Sequence, residues 1–223
     1  TDEETDLTAD LLKSLSGENT VVVIDHDMEF IRMETDHVTG IKREMGGSGD
    51  PSILTALGVF VGMKAALKKR LNIQSLNGLK IGVQGFGKVG YYLCSHLKNE
   101  GAEIYGFDIN ENSLERVKNE FDVIPVSENE LMSMNLDVFS PCAMGAVINP
   151  TTIESLKCSV IAGAANNQLE KEDRDSKLLQ EKEIMYVPDY VINAGGYGLH
   201  PDLGKKGNTL IKNHFGGLKN VTV

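Results

Sequence analysis

The chain has 223 residues and is 41% hydrophobic, which is enough for the core of one large domain or two small ones. Its formal net charge of −10 argues against a nucleic-acid partner, because the phosphate backbone attracts basic surfaces. The longest apolar run, residues 53–63, is too short to cross a bilayer, and the chain shows no basic start followed by an apolar segment. We therefore expect a cytoplasmic protein without a membrane partner.

The cysteines agree with that expectation. Cys94, Cys142 and Cys158 are odd in number, and their spacing is not that of metal ligands. Reduced, buried thiols in a cytosolic protein are the simplest interpretation. The sequence therefore predicts no metal site.

The first 45 residues predict a small α/β segment. Residues 7–15 have helical spacing, residues 20–24 form an apolar run typical of a buried strand, and Gly17 lies between them as a C-terminal cap. A longer helix is predicted from the glycine-rich residues 46–52 to about Arg70. We expect its apolar face to pack against a sheet, and that face comprises Leu54, Leu57, Phe60, Val61 and Met63.

Residues 80–108 are the most informative stretch. A short apolar run leads into Gly-x-Gly-x-x-Gly at residues 85–90, a helix-compatible segment follows, and a second alternating run ends on Asp108. In this context of strand, turn, helix and strand the motif is a dinucleotide-binding fingerprint. The first glycine permits the turn, the second lets the backbone approach a pyrophosphate, and the third lets the helix pack on the strand. The helix N-terminus favours the anion through its free N–H groups and its dipole.

The acid at the end of the second run indicates which dinucleotide binds. Asp108 follows Gly85 by 23 positions, about the spacing of the carboxylate that accepts hydrogen bonds from an adenosine ribose. A carboxylate there repels a 2′-phosphate, so NAD is predicted rather than NADP. The alternative is a glycine-rich turn that serves packing alone. The predicted NAD contacts are Gly85, Phe86, Gly87, Lys88, Val89, Gly90 and Asp108.

Strands and helices alternate after Asp108. Helices are predicted over 111–121, from a Ser-x-x-Glu capping box at 127–130, and over 171–182; strands are predicted over 123–126, 137–140, 159–164 and 183–187. The alternation predicts an α/β fold, a Rossmann-type doubly wound parallel sheet, joined to the small N-terminal segment. The predicted domains are 1–45, the dinucleotide-binding domain 46–196, and a divergent tail 197–223.

Polar loops follow three of these predicted elements, at residues 141–143, 164–168 and 193–196. In open parallel sheets, ligands bind outside the carboxyl ends of the strands. We therefore expect these loops to share one site with the glycine turn.

Several motifs resemble leucine dehydrogenase and the Glu/Leu/Phe/Val amino-acid dehydrogenase family. They lie at residues 33–40, 46–52, 62–66, 140–143, 166–169 and 188–196, in the family's order and spacing, and the resemblance extends over about 27–196. The family oxidatively deaminates branched-chain L-amino acids with NAD, giving a 2-oxo acid, ammonia and NADH. The resemblance therefore implies NAD as cofactor and a branched-chain L-amino acid as the small-molecule substrate.

The resemblance also implies roles for residues outside the fingerprint. Thr55 would lie near the nicotinamide amide, and Cys142, Ala143 and Asn166 beside the nicotinamide ribose. Val191 would form a wall of the substrate side-chain pocket.

Asn193 would lie beside Val191 and is a further predicted cofactor-binding residue. Four of these assignments have an alternative. Thr55 could donate its hydroxyl hydrogen to a carbonyl of its own helix. Cys142 could be a core residue, and Asn166 and Asn193 could be ordinary turn or cap residues.

The catalytic machinery has no counterpart in the sequence. The reaction needs a base that takes a proton from the amine and a cation that holds the substrate carboxylate. In the family two lysines of an N-terminal substrate domain serve these roles, and neither lysine motif occurs among residues 1–26. No catalytic residue is therefore predicted. The alternative function is a non-catalytic NAD-binding module, a fragment or mosaic. Family members form homo-oligomers through that domain, so a homo-oligomer is expected from the resemblance alone.

Residues 1–30 resemble a different protein class, the ABC-transporter ATPases, in the region just after the Walker B strand. An ATPase-related regulatory piece is therefore a remote alternative. The chain contains no P-loop motif, so the sequence does not support ATP hydrolysis.

Overall fold

Six strands form the centre of residues 50–193, the part of the chain that the computed structural model describes. The predicted elements of residues 1–45 and the tail 197–223 lie outside this range. The strands are β1 (Lys80–Gln84), β2 (Glu103–Phe107), β3 (Ile124–Pro125), β4 (Asn135–Pro141), β5 (Lys157–Ile161) and β6 (Met185–Tyr186). Their order in the sheet is β3-β2-β1-β4-β5-β6, and every neighbouring pair is parallel. This order defines the doubly wound dinucleotide-binding sheet and confirms the predicted fold class.

Helices connect the strands and cover both faces of the sheet. They are α1 (Ser52–Leu71), α2 (Lys88–Asn99), α3 (Glu111–Phe121), α4 (Glu128–Ser133), α5 (Pro150–Ser155), α6 (Glu172–Glu181) and α7 (Asp189–Ile192). The predicted start of α4 is confirmed, because the Ser127 hydroxyl accepts a hydrogen bond from the Glu130 N–H. None of the helices within residues 50–193 is both long enough and apolar enough to span a membrane.

The two faces of the sheet bury separate apolar clusters. Ile81 and Val83 of β1 join the cluster under α1 and α2. Gly82, between them, faces the other way, because a side chain there would meet Leu131 and Leu136 of the second cluster. This alternation is the period of two that a strand imposes on its side chains.

The prediction for the packing face of α1 was wrong in part. Met63 is fully buried and Phe60 packs against the core, but Leu57 and Val61 are each 40% exposed. The buried face is instead formed by Ser52, Ala56, Val59, Met63, Ala66 and Leu67. Apolar residues occur on nearly all sides of this helix, so hydrophobic periodicity did not single out one face. Three of the six buried residues, Ser52, Ala56 and Ala66, are small and contribute little to a hydrophobic pattern.

The four strands predicted after Asp108 all differ in their bounds. The one predicted over 123–126 is shortened to Ile124–Pro125, and the one predicted over 137–140 is extended to Asn135–Pro141. The strand predicted over 159–164 is β5 at Lys157–Ile161, and the one predicted over 183–187 is reduced to Met185–Tyr186. The residues 162–164 instead begin a loop, in which the Ala162 N–H and the Ala165 N–H donate to carbonyls of β4. β5 therefore ends at residue 161, three residues before the predicted end, and residues 162–164 belong to the loop at the carboxyl end of the sheet.

Candidate cofactor site

The glycine turn joins β1 to α2 at the carboxyl edge of the sheet. Gly85 has a φ of +95°, a conformation that L side chains rarely adopt, and a Cβ there would lie 2.6 Å from the Cβ of Ala143. At Gly90, a Cβ would collide with the carbonyl oxygen of Gly85. Gly87 differs, because a Cβ there would have no heavy atom within 4 Å. Two of the glycines therefore permit close packing, and the middle one faces open space.

The N-terminus of α2 suits an anion. Gly87 is the N-cap residue and supplies no side-chain cap, and the first turn of the helix contains no acidic residue. The first residue of the helix, Lys88, is exposed. Backbone N–H groups at such an end, together with the helix dipole, favour a negative charge. A pyrophosphate group therefore fits the residues that are present.

Asp108 lies at the end of β2 and holds the glycine turn. Its Oδ2 accepts a hydrogen bond from the Phe86 N–H at 2.5 Å, and its Oδ1 accepts one from the Asn110 N–H at 2.7 Å. The Phe86 ring lies below the turn, in space that a side chain at Gly106 would occupy. The sequence predicted a ribose contact for Asp108 but not these backbone contacts. A carboxylate has about four acceptor positions, so the ribose can still be bound.

The loop after β4 lies against the glycine turn. The Cys142 N–H donates to the Gln84 carbonyl at 2.7 Å, and the exposed Ala143 is the residue that contacts Gly85. The Cys142 thiol is 3.6 Å from the Ser140 hydroxyl. Burial raises the pKa of this thiol, although hydrogen bonds from the Ala164 backbone and from Ser140 oppose that change. The thiol is therefore held in its neutral form at neutral pH.

The loop after β5 is bound to the loop after β4. The Ala146 N–H donates to the Asn167 carbonyl at 2.7 Å, and the Ile148 N–H donates to the Gln168 carbonyl at 3.0 Å. The buried Gln168 side chain donates through Nε2 to the carbonyls of Gly163 at 2.8 Å and Ala165 at 2.9 Å. Gln168 was not predicted to have a role of its own, although it lies in the polar loop 164–168 and in the 166–169 motif. These bonds join the two loops into one unit.

Asn166 and Asn193, distant in sequence, meet at this unit. The Asn193 Nδ2 donates to the Asn166 Oδ1 at 2.6 Å and lies 3.4 Å from the Ala164 carbonyl oxygen. Asn193 is also the C-cap residue of α7. Asn193 therefore has the cap role that was left open, through its backbone N–H, and contacts a predicted cofactor residue through its side chain.

Thr55 and Val191 lie on the helices α1 and α7. The Thr55 hydroxyl donates to the Pro51 carbonyl at 2.9 Å, as in the alternative to its cofactor role, and its oxygen retains acceptor capacity. Val191 is partly buried. The two helices are in contact where Ile192 lies beside Gly62, since a Cβ at Gly62 would be 2.7 Å from the Ile192 Cγ1.

Sequence comparison identifies relatives of this chain. The family model described as Glutamate/Leucine/Phenylalanine/Valine dehydrogenase matches residues 46–110 and 103–199. The leucine dehydrogenase of Thermoactinomyces intermedius is 52% identical over 170 residues, which are 76% of this chain and 46% of the relative. That of Bacillus cereus is 48% identical over 182 residues, which are 82% of this chain and 49% of the relative. The chain thus spans about half the length of the curated relatives it matches. These matches give no support to the resemblance of residues 1–30 to an ABC-transporter ATPase.

A solved structure agrees with the sequence matches. The L-tryptophan dehydrogenase of Nostoc punctiforme is similar with a TM-score of 0.80 and 36% identity, covering 96% of this chain and 63% of that protein. The predicted resemblance is therefore confirmed: the chain belongs to the Glutamate/Leucine/Phenylalanine/Valine dehydrogenase family.

Proposed function

We propose that the chain binds NAD and takes part in the oxidative deamination of a branched-chain L-amino acid, giving a 2-oxo acid, ammonia and NADH. Residues 46–196 are proposed as the NAD-binding domain. The relatives named leucine dehydrogenase, which are 52% and 48% identical to the chain, support this substrate class. The observation that carries the proposal is the glycine turn with its open N-terminus of α2.

The adenosine half of NAD is assigned to the glycine turn and Asp108. Gly87 leaves room for the pyrophosphate, and the N–H groups at the start of α2 donate to it. The hydrogen bonds that Asp108 accepts from two backbone N–H groups fix its carboxylate at the end of β2. A carboxylate fixed there accepts hydrogen bonds from the ribose hydroxyls and repels a 2′-phosphate, which favours NAD over NADP.

The nicotinamide half is assigned to the joined loops. Cys142, Ala143 and Asn166 are proposed to line the nicotinamide ribose, with Asn193 holding the Asn166 side chain. Thr55 is proposed to accept a hydrogen bond from the nicotinamide amide through its free lone pair. When bound, NAD supplies the hydride acceptor of the reaction. The chain's residues orient it and shield it from water.

The amino-acid side chain is proposed to lie against Val191. A partly buried valine offers an apolar wall, which suits a branched aliphatic group better than a charged one. A base for the amine proton is also required. None of residues 50–193 is assigned that role, and the partners proposed for the chain are the amino acid and, from the family resemblance, further copies in a homo-oligomer.

The test is NADH formation by the purified chain. NAD and a panel of L-amino acids are mixed with it at mildly alkaline pH, and the near-ultraviolet absorbance that NADH has and NAD lacks is recorded. Turnover with L-leucine, L-valine or L-isoleucine, and none with D-leucine as the matched control, would support the dehydrogenase and show that a residue not yet assigned serves as the base. NADH binding without turnover in a folded sample would favour the non-catalytic NAD-binding module. A folded chain that binds no NADH would contradict the cofactor assignment itself.

A further inference from the structure

The short helix α7 holds the loop 164–168 at two points. At its start, the Asp189 Oδ2 accepts a hydrogen bond from the Asn167 N–H at 2.6 Å. At its end, the Asn193 Nδ2 donates to the Asn166 Oδ1 at 2.6 Å. The helix itself is closed by the Asn193 N–H, which donates to the Asp189 carbonyl at 2.9 Å. The distance between the two points is thus set by a single turn of helix.

Asn167 is in a conformation that needs support. Its φ of +51° lies in the left-handed region, which asparagine tolerates better than most residues but which still costs free energy. Its carbonyl accepts from the Ala146 N–H, and its N–H donates to Asp189, so both of its backbone groups have partners. A carboxylate acceptor makes the second bond charge-assisted and therefore stronger than a neutral one.

The peptide plane of Asn167 determines where Asn166 lies. The N–H that Asp189 accepts belongs to the peptide bond between Asn166 and Asn167, and that bond is planar. Fixing the N–H direction therefore fixes the backbone of Asn166 as well. Its side chain is then held by Asn193 from the other side.

We propose that Asp189 is a positioning residue for the nicotinamide half of the cofactor. It orients Asn166 through the Asn167 N–H and makes no contact with the cofactor itself. The inference rests on the proposed NAD binding. It adds that the two halves of the cofactor depend on different carboxylates, the adenosine half on Asp108 and the nicotinamide half on Asp189.

The other partner of the same carboxylate provides a matched control. The Tyr186 hydroxyl donates to the Asp189 Oδ1 at 3.3 Å, from the end of β6. Tyr186→Phe removes this bond and leaves the Asn167 bond in place. Any effect of Asp189 that acts through β6 should therefore appear in this variant too.

The experiment compares two ligands of the full chain by titration calorimetry, NADH and ADP, which lacks both the nicotinamide and its ribose. Removing a charge-assisted hydrogen bond is expected to reduce NADH affinity about tenfold in Asp189→Ala, with ADP affinity within about twofold of wild type. Asp189→Asn keeps an oxygen that can accept from the Asn167 N–H, so it should recover most of the NADH affinity. Tyr186→Phe should bind both ligands like wild type.

The affinities of these variants decide whether Asp189 has the positioning role. Equal losses for NADH and ADP in Asp189→Ala, or unchanged affinity for both, would overturn the positioning role. So would a loss in Tyr186→Phe as large as that in Asp189→Ala. If Asp189→Ala does not fold, Asp189→Asn takes its place, because it removes the charge of the acceptor. An NADH affinity below that of Tyr186→Phe, with equal ADP affinity, would support the positioning role, and equal NADH affinity would overturn it. A folded wild-type chain that binds neither ligand would refute the proposed NAD binding, and the role of Asp189 with it.

Discussion

The two sides of the candidate site are built in different ways. On the adenosine side, one continuous stretch supplies β1, the glycine turn, α2 and the acid at the end of β2. On the nicotinamide side, three separate stretches meet, namely the loops 142–148 and 164–168 and the helix α7. The first side is specified by backbone conformation and close packing at glycines. The second depends on hydrogen bonds between groups far apart in sequence, and it should therefore be the easier one to alter without unfolding the protein.

The largest effect is expected at the third glycine of the turn. Gly90→Ala places a methyl group against the Gly85 carbonyl oxygen, and such overpacking costs about 1–3 kcal/mol of unfolding free energy. NADH and ADP affinity should both fall more than about tenfold, because room for the methyl group requires the start of α2 to move, and its N–H groups are proposed to bind the pyrophosphate. Chemical denaturation and calorimetry measure the two quantities.

Gly87→Ala is the matched control for this variant. Gly87 has a φ of −62° and open space around it, so alanine costs only the difference between the two residues at an N-cap, about 0.5–1 kcal/mol. Its methyl group faces the proposed pyrophosphate position, so ligand affinity should still fall. Equal losses of unfolding free energy in Gly87→Ala and Gly90→Ala would contradict the assignment of close packing to Gly90 and of ligand space to Gly87.

The second effect in size is expected at Asp108. Asp108→Ala removes the acceptor of the Phe86 N–H and the proposed ribose contact, and lost hydrogen bonds to a charged group are worth about 1.5–3 kcal/mol. NADH and ADP affinity should fall together, unlike in Asp189→Ala. Asp108→Asn keeps an oxygen for the Phe86 N–H and should retain more affinity. A loss confined to NADH would show that Asp108 does not serve the adenosine side.

A buried carboxylate remote from both sides should affect stability alone. The Asp175 carboxylate accepts a hydrogen bond from the Lys171 N–H at 2.7 Å and another from the Arg174 Nε at 2.7 Å. Its side chain is fully buried. Burial acts to raise its pKa, but the hydrogen bonds from Arg174 and Lys171 outweigh it and the pKa is lowered. A lowered pKa in the folded state stabilises the protein above the unfolded value of about 4, and this stabilisation is lost as the pH falls below it.

Asp175→Asn should therefore lose about 1–3 kcal/mol of unfolding free energy at neutral pH and show a weaker dependence on pH below about 4. NADH affinity should not change. Asp173→Asn, an exposed acid in the same turn of α6, is the control and should stay within about 0.5 kcal/mol of wild type. Denaturation at a series of pH values checks both, and parallel pH curves for wild type and Asp175→Asn would contradict the assignment.

The sequence predicted the adenosine side better than the nicotinamide side for a physical reason. The conformations of Gly85 and Gly90 follow from steric rules that act within a few residues, so a motif can report them. The contact of Asn193 with Asn166 and the contact of Asp189 with Asn167 depend on the order of β4, β5 and α7 in space. Hydrophobic periodicity predicts that these elements exist, but not which polar groups they bring together.

The same limit applies to α1. Its length was predicted closely, yet the buried face was not, because Leu57 and Val61 are as apolar as the residues that pack. The buried face includes the small residues Ala56 and Ala66, while the larger Leu57 and Val61 are exposed. A preference of this kind is a property of the fitted pair of surfaces and is not visible in one helix alone.

The contact between Gly62 and Ile192 has a consequence for how this fold can evolve. A Cβ at residue 62 would lie 2.7 Å from the Ile192 Cγ1, so the space available to the side chain at one position depends on the size of the other. A larger residue at 62 requires a smaller one at 192, or it displaces α7 and with it both Asp189 and Asn193. Two positions with no polar atoms in their side chains thus constrain one another across 130 residues of chain. In natural variants of this domain, they should change as a pair.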